Sequence, residues 1–527
     1  MNQRFLKVVA TVFLLGVALA FRAPQLDIRP LHGDEAVHGV KLAGVLETNS
    51  YRYDPFEYHG PTLNYFTLIP AFFQGQHTLE DVSDTTLRSV PLFFGIVLIL
   101  LAFLCGQFVS WRIIWFCGFL TAISPEMVFY SRYYIQEMML VAFTFGALMC
   151  YYACMQNFQK RWAFGGGIFL GLMYATKETF ILAVCAFVVA ALFVFPDKGR
   201  IKWQDLSLKS EKPRMIALSF LIALVVGGLF FSSFFNHPKG FVDSFLTYTV
   251  YLNRASENQF HIHPWYYYLK MLVFSKQTNG PIWSSGFVLV GAILGSFRAF
   301  TKKGGAKNEV LFFRLIAIYT LALIIIYSLI PYKTPWNMLS FLHGLILLAG
   351  YGWIELVRSA AKTPVKIAYF AVIGLGSLHL CWQSMLTVFS FHSDPVNPHV
   401  YAHPTTDVYS MLHKIEQAAT ATGDRKNAYI QFVCTDDDYW PFPWYLRGYQ
   451  RTGWYREVDR SAQPAPIIIA SPELENDLLE FLYETPPPGE RHLYVPLFDS
   501  DLFLRPGKEL RGYVRKDLWD IMNRRQE

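Results

Sequence analysis

Charge is what this chain has least of. Of its 527 residues only 16% are Asp, Glu, Lys or Arg, against about 25% in an ordinary soluble protein. That deficit argues against a water-facing globular surface over most of the chain. The net charge of +6 is small, and no Lys/Arg stripe is interleaved with aromatics, which argues against a nucleic-acid partner. Cysteine is also sparse: seven residues, at 105, 117, 150, 154, 185, 381 and 434. All but Cys434 lie in apolar runs, so no disulfide framework is readable. Cys150 and Cys154 are one helical turn apart, with no His or carboxylate beside them, and read as packing rather than as a metal site. Low-complexity stretches and internal repeats are both absent.

What the chain has in abundance is apolar length, with 53% hydrophobic and 17% aromatic residues. A helix needs about 20 apolar residues, at about 1.5 Å each, to cross about 30 Å of hydrocarbon. The first candidate, "RFLKVVATVFLLGVALAFRA", has a basic start and a small-x-small end like a signal peptide, and is expected to stay as an uncleaved anchor. Further candidates are Ser89–Ser110, Ile113–Phe129, Met138–Met155, Trp162–Thr176, Thr179–Pro196, Met215–Phe235, Ile282–Phe297, Leu315–Tyr332, Trp336–Leu356 and Ile367–Phe391. The expected fold is therefore mainly α, a polytopic membrane protein with about 11 transmembrane helices.

Alternate loops read "MNQRFLK", "WR", "QKRW", "DKGRIKWQDLSLKSEKPR", "RAFTKKGGAK" and "VRSAAKTPVK". Their Lys/Arg content assigns them to the inside. The remaining connections then face outward: the loop 22–88, the turn at Ser124–Glu137, "KET" at 177–179, Asn236–Pro281, "PYKTPW" at 331–336, and everything after Phe391. The expected division is a transmembrane domain over 1–391 and an extracytoplasmic α/β domain over 392–527. In the latter, Thr405–Ala419 is amphipathic and "AYIQFVC", "APIIIA" and "HLYVPLF" are strand-like. Its "TDDDYWPFPWYLR" mixes carboxylates with aromatics, as a surface meeting a glycan or a membrane interface would.

The outer set holds the chemically unusual residues. In "LHGDEAVHGV", Gly33 is the expected N-cap of a helix whose first turn carries Asp34 and Glu35. Acidic residues are common there, because the helix dipole favours them. The following loop, however, adds "YRYDP" and "YHGPTLNY", with Asp54, Tyr58 and His59 in a dense aromatic setting. Arg132 in "YSRYYIQE", Lys177 in "ATKET" and Lys333 in "PYKTPW" stand singly at outer helix ends. Each alone reads as a snorkelling cation; together, on the side that disfavours positive charge, they suit a lipid phosphate. Glu178 beside Lys177 is placed to pair with a neighbour or to orient substrate. In "HIHPWYYYLK", His261 and His263 precede aromatics that read first as an interfacial belt. His32, Asp34, His38 and His59 are the residues that would suit a divalent metal, with Asp34 and His38 on one helix face.

A carboxylate at a membrane face, with cations for a phosphate, fits one reaction well. An acceptor hydroxyl attacks the anomeric carbon of a polyprenyl-phosphate-linked sugar, and the carboxylate takes its proton. The departing phosphate needs only charge compensation by fixed Lys or Arg side chains. Displacement from the opposite face inverts the anomeric configuration.

The words "HGDEAVHG", "YDPFEYHGPTLNYF", "YSRYYIQE", "ATKET", "HPWYYYL", "PYKTPWN" and "WPFPWYLR" resemble the GT-C superfamily of integral membrane glycosyltransferases. The resemblance is to family 39, the protein O-mannosyltransferases and aminoarabinose transferases, and within it to the flippase-activity-associated branch. It implies that Asp34, with Glu35 beside it, is the base or substrate-positioning acid. It also implies that Arg132 and Lys177, and less directly Lys333, contact the lipid phosphate. Tyr58, His59, Glu178 and His263 are the further expected substrate-binding residues. Expected partners are a polyprenyl-phosphate-linked sugar and an extracytoplasmic acceptor, and the expected location is the plasma (inner) membrane. The competing readings are a transporter or flippase of lipid-linked sugars, or a non-catalytic partner of one. A transporter would place charged groups near the midplane on broken, repeated helices; here the charges gather at the outer ends.

Overall fold

The structure is a computed structural model that describes residues 3–56, 59–157, 159–195, 211–257, 261–302 and 306–524. Tyr58 and most of the basic stretch "DKGRIKWQDLSLKSEKPR" (196–210) lie outside the described residues.

Inside a bilayer every backbone N–H and C=O must be satisfied within the segment, so apolar runs of this length become helices. The chain opens with α1 (Gln3–Arg22). The first outer loop then carries α2 (Gly33–Thr48) and α3 (Thr62–Phe73), the latter an apolar helix that the spans expected from sequence did not include. Next come α4 (Asp84–Leu104), α5 (Trp111–Ile123), the short α6 (Pro125–Tyr130), α7 (Glu137–Asn157), α8 (Lys160–Tyr174), α9 (Phe180–Val194) and α10 (Glu211–Phe231). After α11 (Lys239–Glu257) and α12 (Tyr267–Val273), the bundle closes with α13 (Gly286–Thr301), α14 (Lys307–Leu329), α15 (Leu339–Ser359) and α16 (Thr363–Met385).

Each expected span overlaps one of these helices, except that Ile113–Phe129 runs across the break at Ser124 from α5 into α6. Among the described residues, seven helices (α1, α4, α7, α10, α14, α15 and α16) are long and apolar enough to cross a membrane. The other four, α5, α8, α9 and α13, run for 13, 15, 15 and 16 residues, short of the length that spans about 30 Å unaided. Burial orders the bundle: 83% of the α7 span and 78% of the α15 span are enclosed, against 11% for α1 and for α16. α7 and α15 are therefore the centre, and α1 and α16 present most of their side chains outward.

The C-terminal region is a small α/β unit. β1 (Ile430–Val433), β2 (Thr452–Tyr455), β3 (Ile467–Ala470), β4 (Tyr494–Pro496), β5 (Leu502–Arg505) and β6 (Lys508–Arg515) form a sheet of order β2-β1-β3-β6-β4, with β5 pairing β6. β1 runs parallel to β2 and β3, whereas β6 is antiparallel to β3, β4 and β5. Period-2 geometry sends Ile467 and Ile469 to one face and Ile468 and Ala470 to the other. The first pair packs with Met411 and Ile415 of α17 (Asp407–Ala421), and the second with Leu478 and Phe481 of the helix Glu475–Tyr483. Helices on both faces explain why "IIIA" is apolar at every position rather than alternating.

Candidate functional site

The site is built around the start of α2. The cap falls one residue earlier than the glycine expected from sequence: His32 is the N-cap, and its Nδ1 accepts from the Asp34 amide at 3.0 Å. Glu35 reaches back to accept from the His32 amide at 3.0 Å, completing a capping box. This arrangement separates two carboxylates that are adjacent in sequence. Asp34 has a side chain 52% exposed, while Glu35 is fully buried.

Glu35 is walled in by four further donors. Arg88 Nε and Nη2 donate to its two oxygens at 2.8 and 2.9 Å, Arg29 Nη2 donates at 3.3 Å, and the Tyr134 amide at 2.8 Å. Burial pushes its carboxyl pKa up, but the Arg88 and Arg29 charges and these hydrogen bonds more than offset that, bringing it to about 2. A carboxylate with its lone pairs so occupied cannot take a proton from a substrate. Glu35, expected beside Asp34 in the catalytic pair, anchors the helix that presents Asp34.

Three walls surround the exposed Asp34. On its own helix stands buried His38, whose Nε2 accepts from the Gln136 side-chain amide at 3.1 Å. Burial, then the nearby His59, lowers the His38 pKa to about 3, so its imidazole is neutral.

The second wall joins the first outer loop to the turn between α8 and α9. Gly60 makes that contact possible, since a Cβ there would lie 2.2 Å from the Ala175 carbonyl oxygen. The Thr62 amide donates to that same oxygen at 3.2 Å. Across the seam His59 Nδ1 donates to Glu178 at 2.8 Å, and the Tyr53 hydroxyl donates to the other Glu178 oxygen at 3.2 Å. Burial raises the Glu178 pKa, and the His59 contact outweighs it, so the carboxyl lies below its usual range. Lys177 forms a buried ion pair with Glu137, the first residue of α7. Burial disfavours its charge, yet the Glu137 carboxylate raises its pKa above the ordinary lysine value.

The third wall comes from the segment 261–267, the turn after α14, and Tyr401. His261 Nδ1 and His263 Nε2 lie 2.6 and 3.1 Å from the Tyr401 hydroxyl. His263 stacks on Tyr267 with ring centroids 4.2 Å apart. The Lys333 ammonium donates to the carbonyls of Ile330 and His263, and burial lowers its pKa. Tyr332 beside it is exposed at the mouth. Trp265 and Tyr266 are exposed while Tyr268 is buried, so only the first two suit an interfacial belt.

Two expectations read differently in space. Arg132 does not face this mouth: its guanidinium donates to the carbonyls of Arg22, Pro24 and Gln25 at 2.6–2.7 Å, tying α6 to the end of α1. The four metal candidates do not converge either. His32 Nδ1 is spent on the helix cap, His38 Nε2 on Gln136 and His59 Nδ1 on Glu178. Among the described residues no group of three or more His, Cys, Asp or Glu side chains is arranged to hold a metal ion.

"TDDDYWPFPWYLR" is also not a free surface. Trp444 is fully buried against α2, where a Cβ at Gly39 would come within 2.8 Å of its ring. The Trp444 indole N–H and the Tyr445 hydroxyl both donate to Asp84, at 2.7 and 3.0 Å, and the Tyr445 oxygen accepts from the Leu31 amide at 2.8 Å. Arg447 donates to the carbonyls of Leu79, Glu80 and Val82. The tail is thus a clamp on the loop that carries Asp34. Sequence reasoning missed Arg29, Arg88, Glu137, Asp84 and Tyr401. Its available signal was a charge inside or beside an apolar run, as in "TTLRSVPLFF" and "YYIQEMML".

The description of dolichyl-phosphate-mannose-protein mannosyltransferases fits residues 69–237, a stretch that includes Glu137, Lys177 and Glu178 but not Asp34. No curated protein matches the chain. Among solved structures, the chain is similar to ArnT from Cupriavidus metallidurans bound to undecaprenyl phosphate, with TM-score 0.62 and 15% identity over 97% of this chain and 98% of that one. It is similar to the oligosaccharyltransferase AglB of Archaeoglobus fulgidus in complex with an inhibitory peptide and a dolichol-phosphate (0.56, 12%, 92% and 72%). It is also similar to the Saccharomyces cerevisiae protein O-mannosyltransferase complex bound to the sugar donor (0.53, 10%, 79% and 92%). The chain is a multi-pass membrane protein that shares the GT-C fold of ArnT and of the protein O-mannosyltransferase complex.

Proposed function

We propose that the protein is an inverting glycosyltransferase that moves a sugar from a polyprenyl-phosphate donor to an acceptor hydroxyl on the extracytoplasmic side of the plasma (inner) membrane. The observation that carries this reading is the separation of Asp34 from Glu35: one carboxylate open to the mouth, the other locked behind it. The acceptor O–H gives its proton to an Asp34 oxygen as the new C–O bond forms at the anomeric carbon. The bond from that carbon to the phosphate oxygen breaks with its electron pair, and the polyprenyl phosphate departs unprotonated. Lys333 and Lys177 supply positive charge to that phosphate. Lys177 is the more restrained of the two, because Glu137 already pairs with it. His59, with Glu178 behind it, and His263 are the residues proposed to orient the sugar through hydrogen bonds. Three solved structures of the same fold hold a lipid phosphate or sugar donor, which supports this donor class.

Reconstitution with candidate polyprenyl-phosphate sugars tests the assignment. Asp34→Asn is expected to slow sugar transfer by about 10²–10⁴-fold, the usual worth of a general base. Equal consumption of donor by wild type and variant would remove Asp34 from catalysis. Transbilayer movement of labelled lipid without sugar transfer would favour the transporter reading instead.

A further inference from the structure

Behind Glu35, on the side away from the mouth, the chain concentrates positive charge. Arg22, Arg29, Arg88 and Arg132 are all buried, with exposures of 0, 4, 0 and 6%. Among the described residues, Glu35 is the one carboxylate in contact with any of them, pairing with Arg29 and Arg88. Arg22 donates to the Ser131 hydroxyl and to the carbonyls of Ala18, Thr121 and Ala122, and Arg132 donates to carbonyls alone. Carbonyl dipoles solvate a guanidinium but do not neutralise it, and unpaired buried charge is costly.

The same cluster borders a small, partly open cavity, whose polar lining is Arg29, Arg132, Thr387 and His392 over an apolar floor that includes Leu26 and Phe129. Two polar atoms there have no partner among the described residues: the Thr387 hydroxyl, on a residue with no exposed surface, and His392 Nδ1. A helical threonine ordinarily donates to the carbonyl one turn back. Thr387 makes no such bond among the described residues, and it sits in a π-helical turn, Leu386–Ser390, that continues α16. Such turns occur often at functional sites. Two guanidinium groups, a free hydroxyl and a free ring nitrogen thus border one small space.

We propose that this cavity binds a small inorganic anion. The ligand class is a halide or free phosphate, held by Arg29 and Arg132 through charge and by the Thr387 hydroxyl and the His392 N–H through hydrogen bonds. The anion offsets the arginine surplus and braces the junction of α1, α6 and α16 behind the helix that presents Asp34. The inference does not depend on the transferase reading.

The test uses the full chain in detergent at fixed ionic strength, exchanged from gluconate into chloride or phosphate while thermal unfolding is followed. Wild type is expected to show a saturable rise in Tm of about 3 °C at about a hundredfold excess over Kd. Thr387→Val, which keeps side-chain shape but removes the hydroxyl, should weaken that response at least fivefold in anion concentration. If this variant does not fold, bromide anomalous scattering from wild-type crystals decides the point, with a peak between Arg132 and Thr387 expected. Should added phosphatidylglycerol raise Tm in gluconate and abolish the chloride response, the site stands and a lipid headgroup is its source. Superimposed curves in all three anions, an unchanged response in Thr387→Val, or no bromide peak would each overturn the proposal.

Discussion

Replacing Glu35 by Gln removes half of a buried, hydrogen-bonded ion pair and leaves the Arg88 and Arg29 charges facing a neutral amide. Breaking a buried pair from one side costs about 3–5 kcal/mol, so Glu35→Gln should lower thermal stability strongly in detergent. Asp34→Asn changes a half-exposed group and should stay within about 0.5 kcal/mol of wild type. The same instrument reading thus separates the anchor from the proposed base. Lys177 and Glu137 are expected to behave as one unit. In a double-mutant cycle with Lys177→Met and Glu137→Gln, each single change should cost more than half of the double change, with a coupling of about 0.5–3 kcal/mol by denaturation. At this scale the resemblance already favoured Asp34 over Glu35 as the base. What it did not carry is the physical difference between them, which lies in the guanidinium groups folded against Glu35.

At the scale of elements, α2 is held from two directions. Arg88 of α4 grips its first turn through Glu35, and Trp444 presses on it where Gly39 leaves room. Gly39→Ala puts a methyl group into a fully buried indole and should cost about 1–3 kcal/mol, as overpacking does. Trp444→Phe keeps an aromatic ring but loses the N–H donated to Asp84. The expected outcome is a folded protein whose turnover falls while donor KM changes little, read from initial rates, because the clamp sets where Asp34 stands rather than touching substrate. The helices themselves were legible from apolar run length, α17 from its amphipathic period, and the β1 and β3 strands as short β-rich runs. The clamp was not, because "WPFPWYLR" carries the same residues that an exposed aromatic surface would. Its role depends on a contact with residues more than 350 positions earlier in the chain.

For the whole molecule, acid should be the weak side. His32, His38, His399 and His403 are buried, and burial lowers each pKa below the ordinary histidine value. An imidazole kept neutral in the folded state leaves the unfolded chain binding more protons once pH falls below about 6.5. Stability then declines by up to about 1.4 kcal/mol per pH unit for each such group. Glu35, held at about 2, contributes stability that is complete above its unfolded value and is lost as pH falls from about 4.3 toward 2. Tm measured from pH 5 to pH 8 should therefore rise to a plateau near pH 7, and a flat profile would show that these imidazoles titrate normally.

The sequence by itself determined that this is a helical membrane protein with its unusual residues gathered between particular spans. Apolar run length and loop charge are local quantities, and lipid leaves the backbone little choice but helix. Tertiary structure alone decided which carboxylate is open, which cations are already spent on carbonyls or glutamate, and that the tail clamps the first outer loop. Those outcomes depend on who is buried against whom. Burial and pairing set the charge state and reach of a side chain, and neither can be read until distant segments meet.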